Sequence, residues 1–244
     1  MSKDLFSSHA SQYAAFRPTY PKELYDFIFS HIKNFDAAWD AGTGNGQVAR
    51  DLSKRFKKVL ATDISDRQIE NAVQAENIFY SVAGETTPFP ENSFDLICVA
   101  QAIHWFDRDK FYSEVKRVAR PGAIIAIWGY GLLSINSEID WHINDFYVNI
   151  VGPYWDKERR LIDEGYKTIS FPFQEIDTPS FSFSFQWTLR EFQGYLTTWS
   201  AVQKFMKSNN FNPVSELIEK TKSHWQSEKM IVQFPLFMRL AKIS

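Results

Sequence analysis

Apolar positions along this chain fall into two rhythms. In the first half, short continuous apolar runs alternate with stretches where apolar residues recur every three or four positions. Pro21 opens a stretch whose Leu24, Phe27, Ile28 and Ile32 share one face, which predicts a helix begun by proline. Ala37 to Trp39 predicts a first strand running into a glycine turn, and Val48 and Leu52 follow at helix spacing. Val59 to Thr62 predicts a second strand that ends at Asp63. Ser65 and Gln68 then stand as a Ser-x-x-Gln capping box before a helix carrying Ile69 and Val73. Ile78 to Ala83 predicts a third strand, Pro88, Pro90 and Asn92 mark a loop, and Phe94 to Ala100 predicts a fourth strand. Phe111, Val115 and Val118 predict a helix stopped by Pro121-Gly122, and Ala123 to Trp128 a fifth strand. Strands alternating with helices at this pace imply an α/β fold with a parallel sheet covered on both faces.

The second half breaks that rhythm. Ile139, Ile143, Phe146 and Ile150 predict one helix. Phe181, Phe183, Phe185 and Trp187 alternate with Ser182, Ser184 and Gln186, the pattern of a half-buried strand. Leu189, Phe192, Leu196, Trp199, Val202 and Met206 predict a single amphipathic helix. Asn212-Pro213 predicts the cap and first position of another, and Ile231 to Ile243 reads as a closing strand. The sheet is therefore expected to finish late, with helices inserted on the way to form a cap. One domain is expected over residues 1–244. Its core covers about 33–135, 170–188 and 229–244, and its cap elements about 1–32, 136–169 and 189–228.

Composition narrows the partner. The chain has 244 residues, 44% of them apolar, with 22 phenylalanines and 8 tryptophans. Aromatic residues in this number suit a concave site, although packing alone also uses them. The net charge of −2 provides no field for nucleic acid or an anionic membrane, so a small molecule is the expected partner of a monomer or weak dimer. The basic run Lys54-Arg55-Phe56-Lys57-Lys58 falls where a helix should end and favours the negative end of its dipole. Cys98, the only cysteine, sits in the apolar fourth strand and reads as a structural thiol. Residues Ser2 to Ser11 are polar, and the run Ala123 to Leu133 is too short to span a bilayer, so a cytoplasmic protein is expected.

The glycine turn "WDAGTGNGQVA", Trp39 to Ala49, leaves the first strand where open parallel sheets bind ligands. Asp63 lies 21 residues beyond Gly42, a spacing that suits a carboxylate on the hydroxyls of an adenosine ribose. Its other reading, as a helix cap, is already served by Ser65. A dinucleotide turn of the form G-x-G-x-x-G needs glycine where this chain has Gln47. It also offers its helix N-terminus to a pyrophosphate that Asp40 would repel. Asp40 suits a cationic, phosphate-free adenosine, S-adenosylmethionine (SAM), over NAD. An NAD(P)-dependent oxidoreductase and a non-catalytic SAM-binding module are the alternatives.

With these stretches assembled, the sequence resembles the class I SAM-dependent methyltransferases. It is most similar to the small-molecule group that includes trans-aconitate methyltransferases, methyltransferase type 11 domains and plant embryo-abundant-type proteins. Beyond the glycine turn the likeness rests on "YAAFRPTYP" (Tyr13 to Pro21), "ATDIS" (Ala61 to Ser65) and "PFPENSFDLICVAQAIHWFD" (Pro88 to Asp107). A fourth stretch is "VGPYWDKERRLIDEGY" (Val151 to Tyr166). The resemblance implies a Rossmann-like, seven-stranded, mostly parallel sheet with the last strand antiparallel, plus a helical cap. It implies SAM as cofactor and S-adenosylhomocysteine as product. Gly42, Gly44 and Gly46 would let the backbone approach SAM, with Asp40 near its methionine end and Asp63 on the ribose, and Thr43, Ile64 and Gln68 would be further cofactor-binding residues. Ala83, Gly84 and Glu85 would border the adenine, and Gln101 the methionine side. Tyr13 and Arg17 would close over the cofactor. Two positions depart from the group: Gly84 where alanine is common, and Ala123 in place of the second glycine of a Pro-Gly-Gly turn.

For the acceptor side, His104 follows the fourth strand beside Trp105 and is the candidate base. Its other reading is to hold the loop or contact the substrate without moving a proton. Tyr20, Trp105, Trp128, Tyr130, Tyr154 and Trp155 are the candidate acceptor-pocket residues, with Trp141 a further aromatic; each could instead fill the core. Arg159 and Arg160 could meet an acidic substrate or pair with Glu158 or Asp163. His9, His31, His142 and His224 share no metal-ligand spacing, and no metal is expected. The expected reaction is methyl transfer to a small molecule, with a carboxylate as one acceptor.

Overall fold

A computed structural model describes residues 18–243. Its strands are β1 (Ala37–Ala41), β2 (Lys58–Asp63), β3 (Ile78–Val82), β4 (Phe94–Ala100), β5 (Ala119–Tyr130), β6 (Gln174–Ile176), β7 (Phe181–Trp187) and β8 (Met230–Lys242). They form one sheet in the order β3-β2-β1-β4-β5-β8-β6, with β7 also paired to β8. The first five strands run parallel. β8 runs antiparallel to β5, with Ile124 opposite Lys242 and Tyr130 opposite Leu236. β6 pairs with one end of β8 and β7 with the other, both antiparallel to it. Those two short strands thus share one place at the sheet edge, giving seven places in which β8 alone is reversed.

The helices are α1 (Lys22–Ser30), α2 (Gln47–Ser53), α3 (Asp66–Glu70), α4 (Arg108–Val118), α5 (Ser137–Asp145), α6 (Arg159–Asp163), α7 (Leu189–Thr197), α8 (Ser200–Asn209) and α9 (Val214–Lys222). The continuous apolar run of β4 is explained by helices on both faces of the sheet. Leu96 and Cys98 pack on one face with Leu24 and Ile28 of α1 and Leu52 of α2. Ile97 and Val99 pack on the other with Phe111 and Val115 of α4. The period-two alternation of a strand sends neighbours into separate cores, so a doubly covered strand has to be apolar throughout.

Several elements differ from the sequence expectation, each for a local reason. The single helix read from Leu189 to Met206 is two, α7 and α8. Trp199 is extended (φ −65°, ψ 133°) and buried, and the Thr198 hydroxyl donates back to the Tyr195 carbonyl at 2.6 Å. Beyond α5 the chain widens into a π turn over Phe146–Ile150, which leaves Ile150 exposed. α4 ends at Val118, ahead of Pro121-Gly122, which instead lies within the irregular start of β5. α9 starts at Val214, one residue later than expected, with Pro213 at its cap position and Asn212 accepting the Val214 N–H at 3.0 Å just before it. In the basic run after α2, Lys54 pairs with Asp51 and Lys57 with Asp36. Cys98 is fully buried. No helix among the described residues is long and apolar enough to cross a membrane.

Candidate active site

The sheet order reverses between β1 and β4, and the glycine turn leaves β1 at that point. Gly42 and Thr43 both donate their N–H to the Thr62 carbonyl, at 2.8 and 2.9 Å, which fastens the turn to the end of β2. Gly42, Gly44 and Gly46 all have φ between +55° and +78°, a region L side chains avoid. Their surroundings differ. A Cβ at Gly42 would lie 2.7 Å from that of Ala102, and one at Gly46 would lie 2.2 Å from the Tyr80 hydroxyl. One at Gly44 would meet nothing within 4 Å among the described residues, and that glycine lines the cleft. Packing accounts for two of these glycines; the third opens on the cleft.

The cleft encloses about 1120 Å³, part of it open to solvent, and both acids named from the sequence line it. Asp63, half-buried at the end of β2, accepts the Gly44 N–H through Oδ2 (2.9 Å) and the Ser65 N–H through Oδ1 (3.0 Å). Asp40 is almost fully buried beneath the turn. It accepts the Thr43 hydroxyl at 2.5 Å and stands 3.8 Å from the Cys98 thiol. Burial pushes its carboxyl up to about 7, with the Asp63 charge adding to the rise and the Thr43 hydrogen bond opposing it.

Ser65 caps α3 by accepting the Gln68 N–H, but the reciprocal half of the capping box is absent: the Ser65 N–H goes to Asp63. The Gln68 side chain lies instead in the cleft wall, buried, with no hydrogen-bond partner for Oε1 among the described residues. Ile64, Ala83, Gly84 and Glu85 line the same cleft. One Glu85 oxygen accepts the Asp107 N–H at 2.9 Å, which ties the loop after β3 to the start of α4. Gln101 takes a left-handed backbone (φ +56°) just past β4. Its amide exchanges two hydrogen bonds with the Tyr130 backbone, so it extends the sheet while lining the cleft. Tyr13 and Arg17 lie outside the described residues.

SAM fits this lining. The lining holds two acids, one of them buried with no cation facing it among the described residues, an amide oxygen with no hydrogen-bond partner among them, and a glycine open to the cleft, features that suit a cationic, phosphate-free adenosine. Nothing in the lining offers the third glycine of a dinucleotide turn; Gln47 lines the cleft there.

A second pocket of about 530 Å³ adjoins the cleft, and the two share Gln101 and Trp105. His104 is in this second pocket, not the cleft. It is buried, and its Nδ1 lies 2.9 Å from the Tyr166 hydroxyl. Burial, and then the nearby Arg159 cation, lower it to about 3, so it is neutral at physiological pH. Trp155 and Arg159 enter the pocket from the segment before and within α6, and Tyr195, Trp199 and Ser200 from α7 and α8.

Of the other acceptor candidates, Tyr20 and Tyr130 line the cofactor cleft. Trp128 lines neither space: it is fully buried in the core, where Tyr20 and Tyr25 pack edge-on against it. Tyr154 also lines neither, packing on Phe205 and accepting a hydrogen bond from Asn209. Trp141 is 66% exposed. Arg160 pairs with Glu164. Trp199 reads in the sequence as part of a helix's buried stripe and Tyr195 carries no signal of its own, yet both line this pocket. Among the described residues no group of three or more His, Cys, Asp or Glu could hold a metal ion.

Comparison with known proteins agrees with this geometry. Residues 39–127 match a family described as a methyltransferase domain. A Dictyostelium discoideum protein assigned as a methyltransferase is 37% identical, over 98% of this chain and 95% of its own. A methyltransferase of Aspergillus candidus is 27% identical, over 92% of this chain and 80% of its own. Among solved structures, that of an Anaeromyxobacter dehalogenans protein assigned as a type II methyltransferase superposes with a TM-score of 0.86 at 35% identity, covering 93% of this chain and 98% of that one. Likeness of this degree, running nearly the full length of both chains, makes this protein a member of the class I SAM-dependent methyltransferases, with SAM as its cofactor.

Proposed function

We propose that this methyltransferase esterifies a small carboxylic acid held in the second pocket. The observation that carries the reading is Arg159. Its Nε donates to the Tyr147 hydroxyl at 2.8 Å and lies 3.5 Å from Asp163, while its guanidinium stacks 4.8 Å above the Trp155 ring. Neither terminal nitrogen has a partner among the described residues, and the side chain lines the pocket. A guanidinium fixed at one nitrogen and stacked on an indole presents the rest of its fork to a carboxylate. The acid that lines this pocket, Asp156, is already paired with Lys204 at 2.5 Å.

When bound, SAM supplies a methyl carbon on a positively charged sulfur, which an acceptor oxygen displaces to leave neutral S-adenosylhomocysteine. The protein's part is orientation and exclusion of water. Arg159 fixes the acid, and the Trp155, Trp199 and Tyr195 rings shield it. A carboxylate acceptor is nucleophilic as it stands, so no base is needed. This agrees with a neutral His104, whose conjugate acid is far too strong for its imidazole to take a proton near neutrality. In this reading the acceptor side is built by the cap segments 136–169 and 189–228, and the partner is a small acid, with no nucleic acid or membrane involved.

The test is transfer of labelled methyl from SAM to a panel of small acids, alcohols and amines, with Arg159→Met beside the wild type. The expected products are base-labile methyl esters. The acceptor KM should rise at least about tenfold in the variant, the worth of one charge-assisted pairing, with SAM affinity unchanged. Products confined to amines or alcohols would sink the carboxylate reading.

A further inference from the structure

Tyr166 is the one bulky aromatic residue among the described positions with a left-handed backbone, at φ +59°, directly after Gly165 at φ +62°. A non-glycine residue of this size avoids that region unless its surroundings over-determine it, and such strain gathers at functional sites. Here the surroundings do so. The Tyr166 N–H donates to the Leu161 carbonyl at 2.8 Å, and its carbonyl accepts from Arg239 at 3.3 Å. Its ring is fully buried and edge-on to Phe237 at 5.0 Å. The outcome is a hydroxyl delivered to His104 Nδ1, across 62 residues of sequence, at 2.9 Å.

That contact has a direction. His104 Nδ1 is the only hydrogen-bond partner of the Tyr166 hydroxyl among the described residues. If Nδ1 carried the imidazole proton, the hydroxyl would accept it, and its own O–H would be a buried donor with nothing to meet. Leaving such a donor unmet is the costly arrangement. The satisfied arrangement has the Tyr166 O–H donating to an unprotonated Nδ1. A neutral imidazole then carries its proton on Nε2. That nitrogen has no hydrogen-bond partner among the described residues, and the side chain lines the pocket.

We propose that Tyr166 is a positioning residue that holds His104 as the Nε2–H tautomer, making His104 a hydrogen-bond donor to the acceptor oxygen rather than a base. The proposal rests on the acceptor-pocket reading above. It adds to that reading the second donor that, with Arg159, fixes the acid in the pocket. A base at this place would need a lone pair facing the acceptor; this geometry turns the lone pair toward Tyr166.

The test is ¹⁵N NMR of protein labelled at the histidine side chains, without acceptor, on wild type and Tyr166→Phe. The wild-type His104 signal is expected to show a neutral ring with Nε2 protonated. In Tyr166→Phe the tautomers should mix. With the acid that turns over in the panel above, the acceptor KM should rise about fivefold or more while SAM affinity holds. A wild-type ring protonated on Nδ1 overturns the proposal and leaves the methyl-transfer reading standing. An acceptor KM unchanged in Tyr166→Phe overturns it too. The wild-type spectrum decides the matter even if the variant fails to fold, and a wild type inactive on every acid overturns only the carboxylate reading.

Discussion

Asp63 and Gly44 meet across the mouth of the cofactor cleft, the carboxylate accepting the glycine N–H at 2.9 Å while its other oxygen accepts the N–H of Ser65. One side chain at the end of β2 therefore holds the turn after β1 and the start of α3 together. We propose that the same carboxylate also meets the ribose hydroxyls of SAM.

Asp63→Ala is accordingly expected to do two things. Two backbone N–H groups lose their acceptor, costing about 1–3 kcal/mol of stability. SAM affinity should fall at least about 100-fold through the loss of charge-assisted bonds to the ribose. Denaturant midpoints and calorimetry read the two effects separately. SAM affinity equal to wild type would remove Asp63 from the ribose.

The glycines of the turn separate packing from access. Gly46→Ala places a Cβ 2.2 Å from the Tyr80 hydroxyl at φ +78°, so β3 or the turn must move. A loss of about 2 kcal/mol or more in stability is expected. Gly44→Ala meets no atom of the described residues within 4 Å, and its left-handed strain costs about 1 kcal/mol, yet its methyl projects into the cleft. Thermal midpoints should rank Gly44→Ala well above Gly46→Ala, while both lose SAM binding. Normal SAM affinity in Gly44→Ala would contradict this placement of the cofactor.

The cofactor side was legible in the sequence because it is local. Glycine spacing, the acid 21 residues on and the apolar run of β4 sit within a hundred residues, and the switch-point rule brings them together without knowledge of packing. The acceptor side depends on long-range packing. Trp199 has the spacing of a helix stripe, so neither the break at Thr198 nor its entry into the second pocket could be read. Tyr166 reaches His104 only because α6 packs against the Ile103–Trp105 turn that follows β4. Trp128 and Tyr130 share one face of β5, but only Tyr130 is near enough the strand end to reach the cleft; two residues of strand rise separate a wall from a core residue.

Gln68 gives a prediction in which stability and affinity move apart. Its Oε1 is buried in the cleft wall with no partner among the described residues. Gln68→Met removes the unmet acceptor at similar volume. The protein without cofactor should be as stable as wild type or up to about 1–2 kcal/mol more so. SAM should bind about tenfold more weakly, the worth of one hydrogen bond. Thermal shift with and without SAM reads both. A variant that loses stability while keeping SAM affinity would make Gln68 a packing residue only.

Asp40 gives the pH dependence. Burial raises its carboxyl from 3.8 to about 7 in the folded protein, where Thr43, Cys98 and Asp63 face it and no cation does among the described residues. The native state thus binds this proton more tightly than the unfolded chain. The resulting stability is full below about pH 4 and is lost as pH rises through 7, up to about 4 kcal/mol in all. Asp40→Asn keeps the shape and removes the titration, so its thermal midpoint relative to wild type should climb between pH 5 and 8. SAM binding has the opposite sign, because its cation favours the ionised carboxylate. Wild-type affinity should rise over the same interval, with a proton released near pH 6, seen by calorimetry in buffers of different ionisation enthalpy. Asp40→Asn should bind weakly and without that slope. Parallel pH profiles for the two proteins would mean that Asp40 does not meet the cation.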